Sequence, residues 1–300
     1  MLLENFIITS YCLIDETLKN FLGTQKLRKR GFEPNLSDSE VMTMEIVAEF
    51  LGIDTDKGAW EYFTHHWHDW FPALSSRANY AKHAANLWGV TQRVQAQLAT
   101  QLGVFSDQLH LADGFPMPVC HFKRANSSRI FKGEADYGYC ASKEEIYYGF
   151  KGNVMINSEG VISQITATAA NVGERHSFWD LTQGIRGNVI ADKGLIGVDF
   201  QQELRYFAQI NLQTAVRANM KEERSEDFIQ WLVSTRRLVE TVIGQLTERF
   251  HIEKIRARKL WYFTNRIARK VLAHTIAVFI NKQLGNPPLQ FELLLAGTKS

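Results

Sequence analysis

Two short apolar segments that each end in an aspartate constrain the fold of this chain most. Residues 109–112 are Leu-His-Leu-Ala and lead into Asp113 and a glycine. Residues 188–191 are Asn-Val-Ile-Ala and lead into Asp192, with a glycine two positions further on. Apolar runs of this length that stop at turn residues are typical of buried strands. We therefore expect two core strands, each followed or closed by one acid.

The remaining pattern predicts helices before the first of these strands and alternating strands and helices after it. Ser37 can cap a helix and Glu40 can bond back to it, which indicates a helix start. We expect further helices at 77–102, 174–182, 199–208 and 225–284 with a break near 251–260, and further strands at 133–152, 150–157, 161–169 and 213–217. This order indicates a mixed α/β core at 104–286 after an all-helical N-terminal domain at 1–103, with a tail at 287–300.

A third acid, Glu240, lies inside a predicted helix. The apolar stripe of that helix consists of Val239, Val242, Ile243, Leu246 and Phe250. Glu240 lies at the border of this stripe and shares a face with Arg236, so its carboxylate can face a sheet edge while the helix stays packed. The alternative explanation is an i,i+4 ion pair with Arg236, which is worth about 0.2–0.5 kcal/mol in an isolated helix.

These three acids suit phosphodiester chemistry. Such a reaction needs an activated oxygen nucleophile and a stabilised leaving oxygen, and two Mg²⁺ ions about 3.5–4 Å apart can supply both. Mg²⁺ binds a few carboxylates and keeps several waters. Each acid alone has an ordinary structural explanation, because turns favour Asp. The combination of Asp113, Asp192 and Glu240, called the acidic triad below, is the more specific signal.

Composition excludes several other classes of protein. Three cysteines without a Cys-x-x-Cys pair fit neither a disulfide framework nor a zinc ribbon. The best apolar stretch, 271–280, is about half the length of a membrane span, and the start of the chain lacks the basic residues of a signal peptide. We expect a reduced, cytoplasmic protein. The net charge is only +2, but residues 249–270 hold eight bases and one acid, which favours a polyanionic partner.

The motifs around the acidic triad resemble those of bacterial insertion-sequence DDE transposases, in particular the insertion sequence 982 group. The motifs are Ala-Asp-Gly-Phe-Pro at 112–116, Ile-Ala-Asp-Lys-Gly at 190–194 and Arg-Arg-Leu-Val-Glu-Thr at 236–241, together with the segment 168–176. The resemblance runs from about residue 36 to about residue 285. Related transposases often carry Tyr and a basic residue where this chain has Val233 and Thr247. The assignment of Glu240 therefore depends on its spacing from Arg236, and Glu248 is the alternative acid.

The resemblance implies a ribonuclease-H-like mixed sheet with flanking helices and cut-and-join chemistry on DNA. It implies two Mg²⁺ ions, with Mn²⁺ as a substitute, of which Asp113 would bridge both and Asp192 and Glu240 would each complete one shell. The expected partners are double-stranded DNA, both element ends and target, and a second copy of the chain, with which it would form a homodimer on DNA. We expect the protein to associate with the bacterial nucleoid and not with a membrane. A nuclease of the same fold that does not join DNA and a non-catalytic, transposase-derived DNA-binding protein are alternatives.

Basic residues that follow the triad motifs are the candidate DNA contacts. They are Lys123, Arg124, Arg236, Arg237, Arg249, Lys254, Arg256, Arg258 and Lys259. At 256–263, basic residues are followed by aromatic ones. This pattern suits contact of the bases with DNA phosphates while a ring packs nearby. The alternative interpretation of the segment is a solvated basic face without a DNA contact. The N-terminal helices are candidates for reading element ends. The His-rich run at 65–69 is expected to pack as aromatic side chains, and His176 is a candidate for proton transfer or an ordinary first-turn helix residue.

Overall fold

The computed structural model describes residues 1–28, 30–31, 33–141, 143–216 and 220–295. The chain forms two compact units, a helical unit made of residues 1–98 with those from 248 onward, and a sheet unit made of residues 99–247. The expected boundary near residue 103 lies close to this division. Residues 248–286, which we expected in the sheet domain, belong instead to the helical unit. Within the described part of the chain, no helix combines the length and the apolar character that crossing a membrane requires.

The helical unit contains six helices among the described residues. They are α1 (Leu3–Leu22), α2 (Asp38–Phe50), α3 (Asp56–His66), α4 (Arg77–Asn86), α5 (Trp88–Gln101), whose last three residues belong to the sheet unit, and α9 (Leu260–Gln283). The capping box is confirmed, because Ser37 Oγ accepts from the Glu40 N–H at 3.2 Å and the Glu40 carboxylate accepts from the Ser37 N–H at 2.6 Å. The helix predicted at 77–102 is two helices, which break at Leu87. Asn86 and Gly89 flank this break, and both residue types are poor helix formers.

Buried ion pairs connect α9 to the N-terminal helices. The Arg269 side chain is 2% exposed and donates to Asp56 at 2.6 Å, to Glu45 at 3.2 Å and to Glu49. Lys270 is equally buried, and its Nζ donates to Glu49 Oε2 at 2.5 Å. Buried charges of this kind need partners, and the acids of α2 and α3 supply them. Local sequence patterns do not reveal these pairings.

The sheet unit contains one mixed sheet. Its strands are β1 (Leu109–Pro118), β2 (Asp136–Cys140), β3 (Glu145–Asn157), β4 (Ile162–Ala169), β5 (Gly187–Ala191) and β6 (Ile210–Thr214), in the order β2-β3-β1-β5-β6 with β4 also paired to β3. β3 is antiparallel to β1, β2 and β4, whereas β1, β5 and β6 are parallel. The mixed α/β core after a helical region is confirmed. The strand predicted at 213–217 lies earlier, at β6, and position 217 falls outside the described residues.

The two faces of this sheet carry different side chains. On one face, Ala112 and Met155 belong to a buried cluster. This cluster also contains Phe178 of α6 (Glu174–Trp179) and Phe200 of α7 (Val198–Glu203). Successive side chains of a strand point to opposite faces, so Asp113 points away from this cluster.

The last helix of the unit, α8 (Glu226–Glu248), buries a stripe of apolar side chains. These are Leu232, Val239, Val242 and Leu246. Of the predicted stripe, Ile243 is half-buried and Phe250 lies beyond the end of α8.

Candidate metal centre at the edge of the sheet

Strand register brings the two aspartates of the acidic triad side by side. β1 and β5 are parallel neighbours, with Leu111 opposite Ile190. Asp113 lies two residues beyond Leu111, and Asp192 lies two residues beyond Ile190. β5 ends at Ala191, and both acids therefore lie just past the same end of the β1–β5 ladder. The expected strand-end position is confirmed for Asp192, which directly follows β5, and is wrong for Asp113, because β1 continues to Pro118.

Arg236 of α8 contacts all three acids of the triad. Its Nη2 lies 2.6 Å from Asp113 Oδ2 and 3.8 Å from Asp192 Oδ1. Its Nη1 donates to Glu240 Oε1 at 3.1 Å, one helical turn further along α8. The separation of the two aspartate oxygens thus cannot exceed the sum of their distances to Nη2. One guanidinium holds three carboxylates that are distant along the chain within a single site.

Asp113 is the most enclosed acid of the triad. Its side chain is 18% exposed, against 48% for Asp192 and 53% for Glu240. Its Oδ1 also accepts from the Gly114 N–H at 2.8 Å. Burial raises the pKa of Asp113 above its usual value, and the Asp192 and Glu240 carboxylates add to this rise, while Arg236 and the Gly114 N–H oppose it. Asp113 is therefore the acid that gains most from an additional positive charge.

The charge and the donor set of the triad fit a hard divalent cation. Three carboxylates face one guanidinium, so two negative charges remain uncompensated when all four groups are ionised. Carboxylate oxygens are the ligands that Mg²⁺ and Mn²⁺ prefer. The residues described in this structure include no group of three His, Cys, Asp or Glu arranged to hold a metal ion as they stand, and at the triad the Arg236 guanidinium lies between the acids. Metal ligation by the triad would require this guanidinium to move.

Comparison with known protein families decides the class of protein. A family model described as a transposase DDE domain matches residues 105–260, which is more than half of the chain and includes all three acids. The chain belongs to the DDE transposase family. No curated protein matched the chain. The expected transposase is thereby confirmed at the level of the family.

Three of the candidate DNA contacts besides Arg236 lie in the sheet unit. Lys123 and Arg124 are exposed on a 3₁₀ turn (Phe122–Ser127) that follows β1. Arg237 is exposed on α8, next to Arg236. These side chains are accessible to a polyanion, and their role in DNA binding stays a prediction.

The other five candidate contacts lie in the helical unit. Four of them, Lys254, Arg256, Arg258 and Lys259, are exposed, and the first three alternate with the buried side chains of Ile255 and Ala257. This segment presents its bases to solvent on one side. Among the neighbouring aromatic residues, Trp261 is exposed whereas Phe263 is buried.

Arg249 differs from the other candidates in its surroundings. Its guanidinium lies 4.2 Å from the centroid of the Phe50 ring, and the side chain is half-buried. Three further bases of the run at 249–270, namely Arg266, Arg269 and Lys270, pair with acids of the helical unit. Half of the eight bases thus have partners inside the protein, so the run is a weaker sign of a polyanionic partner than its charge count suggests.

Glu174 and Gly194 lie beside Asp192, and we assigned neither to the site from the sequence. A Cβ atom on residue 194 would collide with Glu174 Oε2 and would lie 3.6 Å from Asp192 Oδ2. The Gly194 N–H donates to Asp192 Oδ2 at 3.3 Å. The Glu174 carboxylate, the flexible end of an exposed side chain, thus lies directly beside Gly194 and close to Asp192. The segment 168–176, which carries the family resemblance, was the signal for Glu174.

The two histidine features have ordinary packing. The ring of His66 lies 4.9 Å from that of Tyr62, and Trp67 lies 5.0 Å from Trp70. These contacts agree with the expected aromatic packing of the run at 65–69. His176 is exposed on α6, two residues after Glu174, and its candidate role in proton transfer stays a prediction.

Proposed function

We propose that this chain is an insertion-sequence transposase, similar to the 982 group, that cuts DNA at the element ends and joins the freed 3′-hydroxyl to target DNA. The observation that carries the proposal is the convergence of the acidic triad on Arg236. Three carboxylates from β1, the end of β5 and α8 meet at one edge of the sheet in a chain of the DDE transposase family. The parallel strands β1, β5 and β6, with β3 antiparallel to β1, support a ribonuclease-H-like core.

Each acid of the triad has a distinct part in this proposal. Two bound Mg²⁺ or Mn²⁺ ions would activate the attacking oxygen and stabilise the leaving oxygen of a phosphodiester. Asp113 is the most buried acid of the triad and makes the shortest contact with Arg236, so we propose that it would contact both ions. Asp192 and Glu240 flank it from the end of β5 and from α8, and each would complete the shell of one ion. Rigid strands and a packed helix fix the relative positions of these oxygens before substrate binds.

Basic residues of both units would hold the DNA. In the sheet unit, Arg236, Arg237, Lys123 and Arg124 would contact phosphates of the strand that is cut. In the helical unit, the exposed bases at 254–259 would contact phosphates elsewhere on the duplex, with Arg249 the weakest candidate because of its contact with Phe50. The N-terminal helices are our candidates for reading element ends. Because two ends are joined, we propose a homodimer on DNA in the bacterial cytoplasm.

Variants of the triad test the proposal directly. Asp113→Asn, Asp192→Asn and Glu240→Gln should each abolish Mg²⁺-dependent cleavage of end DNA, because each removes a ligand charge while the shape is kept. Binding of the same DNA should persist. Asp199→Asn is the matched control, since Asp199 is an exposed acid in the first turn of α7 in the same unit. Full cleavage by any triad variant would contradict the assignment of that acid.

A strand-transfer assay separates the proposal from its alternatives. Products in which an end is joined to target DNA are expected for a transposase. Cleavage without joined products would favour a metal-dependent nuclease of the same fold. End binding without any cleavage in Mg²⁺ or Mn²⁺ would favour a non-catalytic DNA-binding protein.

A further inference from the structure

We propose that Arg236 is a reversible lock on the acidic triad, which keeps divalent metal out until a DNA phosphate draws the guanidinium away. The inference rests on the proposed function, because it takes the triad as the metal site. It adds that metal and DNA bind cooperatively through this one side chain.

The contacts of Arg236 explain why it would exclude a metal. Its Nη2 lies 2.6 Å from Asp113 Oδ2, the oxygen of the most buried acid. A Mg²⁺ ion ligated by that oxygen would lie about 2.0–2.1 Å from it. Two cations at such distances from one oxygen repel each other strongly, because the interaction of charges grows as their separation falls. The guanidinium and the metal are therefore competitors for the same carboxylates.

The Arg236 side chain is held by the triad but is not fully hydrogen-bonded, so it can leave the acids. Arg236 satisfies its terminal nitrogens with the triad, but its buried Nε–H donates to no acceptor among the described residues. The side chain is 27% exposed, so it can swing toward solvent without a change in α8. Only the side chain has to rotate, since the backbone of α8 is held by its buried stripe.

A DNA phosphate is the group best suited to release the lock. A guanidinium binds phosphate through two parallel hydrogen bonds, and such charge-assisted pairs are stronger than neutral ones. Arg236 faces the site where the scissile phosphate would lie in the proposed reaction. Once Arg236 moves to phosphate, the triad loses its only basic contact among those described and holds three negative charges, which raises its affinity for a divalent cation.

Metal titration of the full chain tests the lock without any turnover. Binding of Mn²⁺ is measured by isothermal titration calorimetry in the absence of DNA for the wild type, Arg236→Gln and Arg237→Gln. Arg236→Gln should bind Mn²⁺ about 5- to 150-fold more tightly than the wild type, the range typical of coupling between sites. Arg237→Gln is the matched control, because it removes the same charge one residue further along α8, where no ion pair with the triad is found among the described residues. It should resemble the wild type.

The same titration is then repeated with a short DNA duplex and Ca²⁺, which is chosen to limit cleavage. The duplex should tighten Ca²⁺ binding by the wild type and have much less effect on Arg236→Gln, whose lock is already absent. Equal or weaker Mn²⁺ binding by Arg236→Gln would overturn the lock while leaving the metal site intact. If folded wild type and Arg236→Gln both fail to bind metal with and without DNA, the metal assignment itself fails, and the lock with it.

Discussion

The buried acid Glu49 should stabilise the helical unit far more than an exposed acid with an ion pair of similar length. Its side chain is fully buried and accepts from Arg269 Nε and from Lys270 Nζ. Glu49→Gln keeps the shape of the side chain and removes the charge. Lys270 would then retain only Asp54, at 3.4 Å, whereas Arg269 would retain the carboxylates at positions 45 and 56.

Loss of one partner from a buried ion pair destabilises a protein by about 3–5 kcal/mol. Because Arg269 keeps two acids, we expect the lower end, about 3 kcal/mol. In a unit of this size each kcal/mol lowers the melting temperature by about 2–4 °C, so Glu49→Gln should melt about 6–12 °C below the wild type. Circular dichroism or scanning calorimetry measures the difference.

Glu33→Gln is the matched control for this experiment. Glu33 pairs with Lys26 at 2.9 Å, but both side chains are more than three-quarters exposed. Water screens such a pair, so the control should melt with the wild type. A melting temperature of Glu49→Gln that coincides with that of Glu33→Gln would refute the claim that burial makes this network strong.

Three further predictions concern pH, capping and DNA. Burial lowers the pKa of His274 to about 3, against about 6.5 when unfolded, so between these pH values the unfolded chain binds more protons than the folded chain. The free energy of unfolding should therefore fall by about 1.4 kcal/mol per pH unit as the pH drops below 6.5. Urea titrations of His274→Leu should lack this slope. Ser37→Ala should lower the free energy of unfolding by about 1 kcal/mol, because the Glu40 N–H loses its acceptor. Arg258→Ala should weaken DNA binding and reduce the slope of log K against log salt by about one; an unchanged slope would exclude Arg258 from the phosphate contacts.

Local signals were sufficient for most elements of the sheet unit. The strands expected at 150–157 and 161–169 correspond to the end of β3 and to β4. They are joined by a turn in which Asn157 Oδ1 accepts from the N–H groups of Glu159 and Val161. β1 runs further than expected, to Pro118, although its sequence suggested a turn after Asp113. The added residues pair with β3, and a partner strand distant along the chain gives no signal within residues 114–118.

The limits of local reasoning are clearest in the helical unit. Arg269 finds its acids more than 200 positions earlier in the chain. Arg269 and Lys270 belong to the run of bases at 249–270 that favours a polyanionic partner, although bases are seldom buried without partners. Only the approach of α2 and α3 to α9 makes burial favourable, and that approach depends on the whole apolar core of the unit.

The ordinary and the functional interpretation of Glu240 do not exclude each other. An i,i+4 pair between Arg236 and Glu240 was the ordinary alternative to a functional acid at position 240, and that pair is present at 3.1 Å. The same guanidinium also reaches Asp113, 123 positions earlier in the chain, through its other terminal nitrogen. A contact that stabilises a helix only slightly by itself thereby connects that helix to the edge of the sheet. The spacing of Arg236 and Glu240 consequently explains both the local pair and the position of the third carboxylate, and the two interpretations exclude each other only while α8 is considered in isolation.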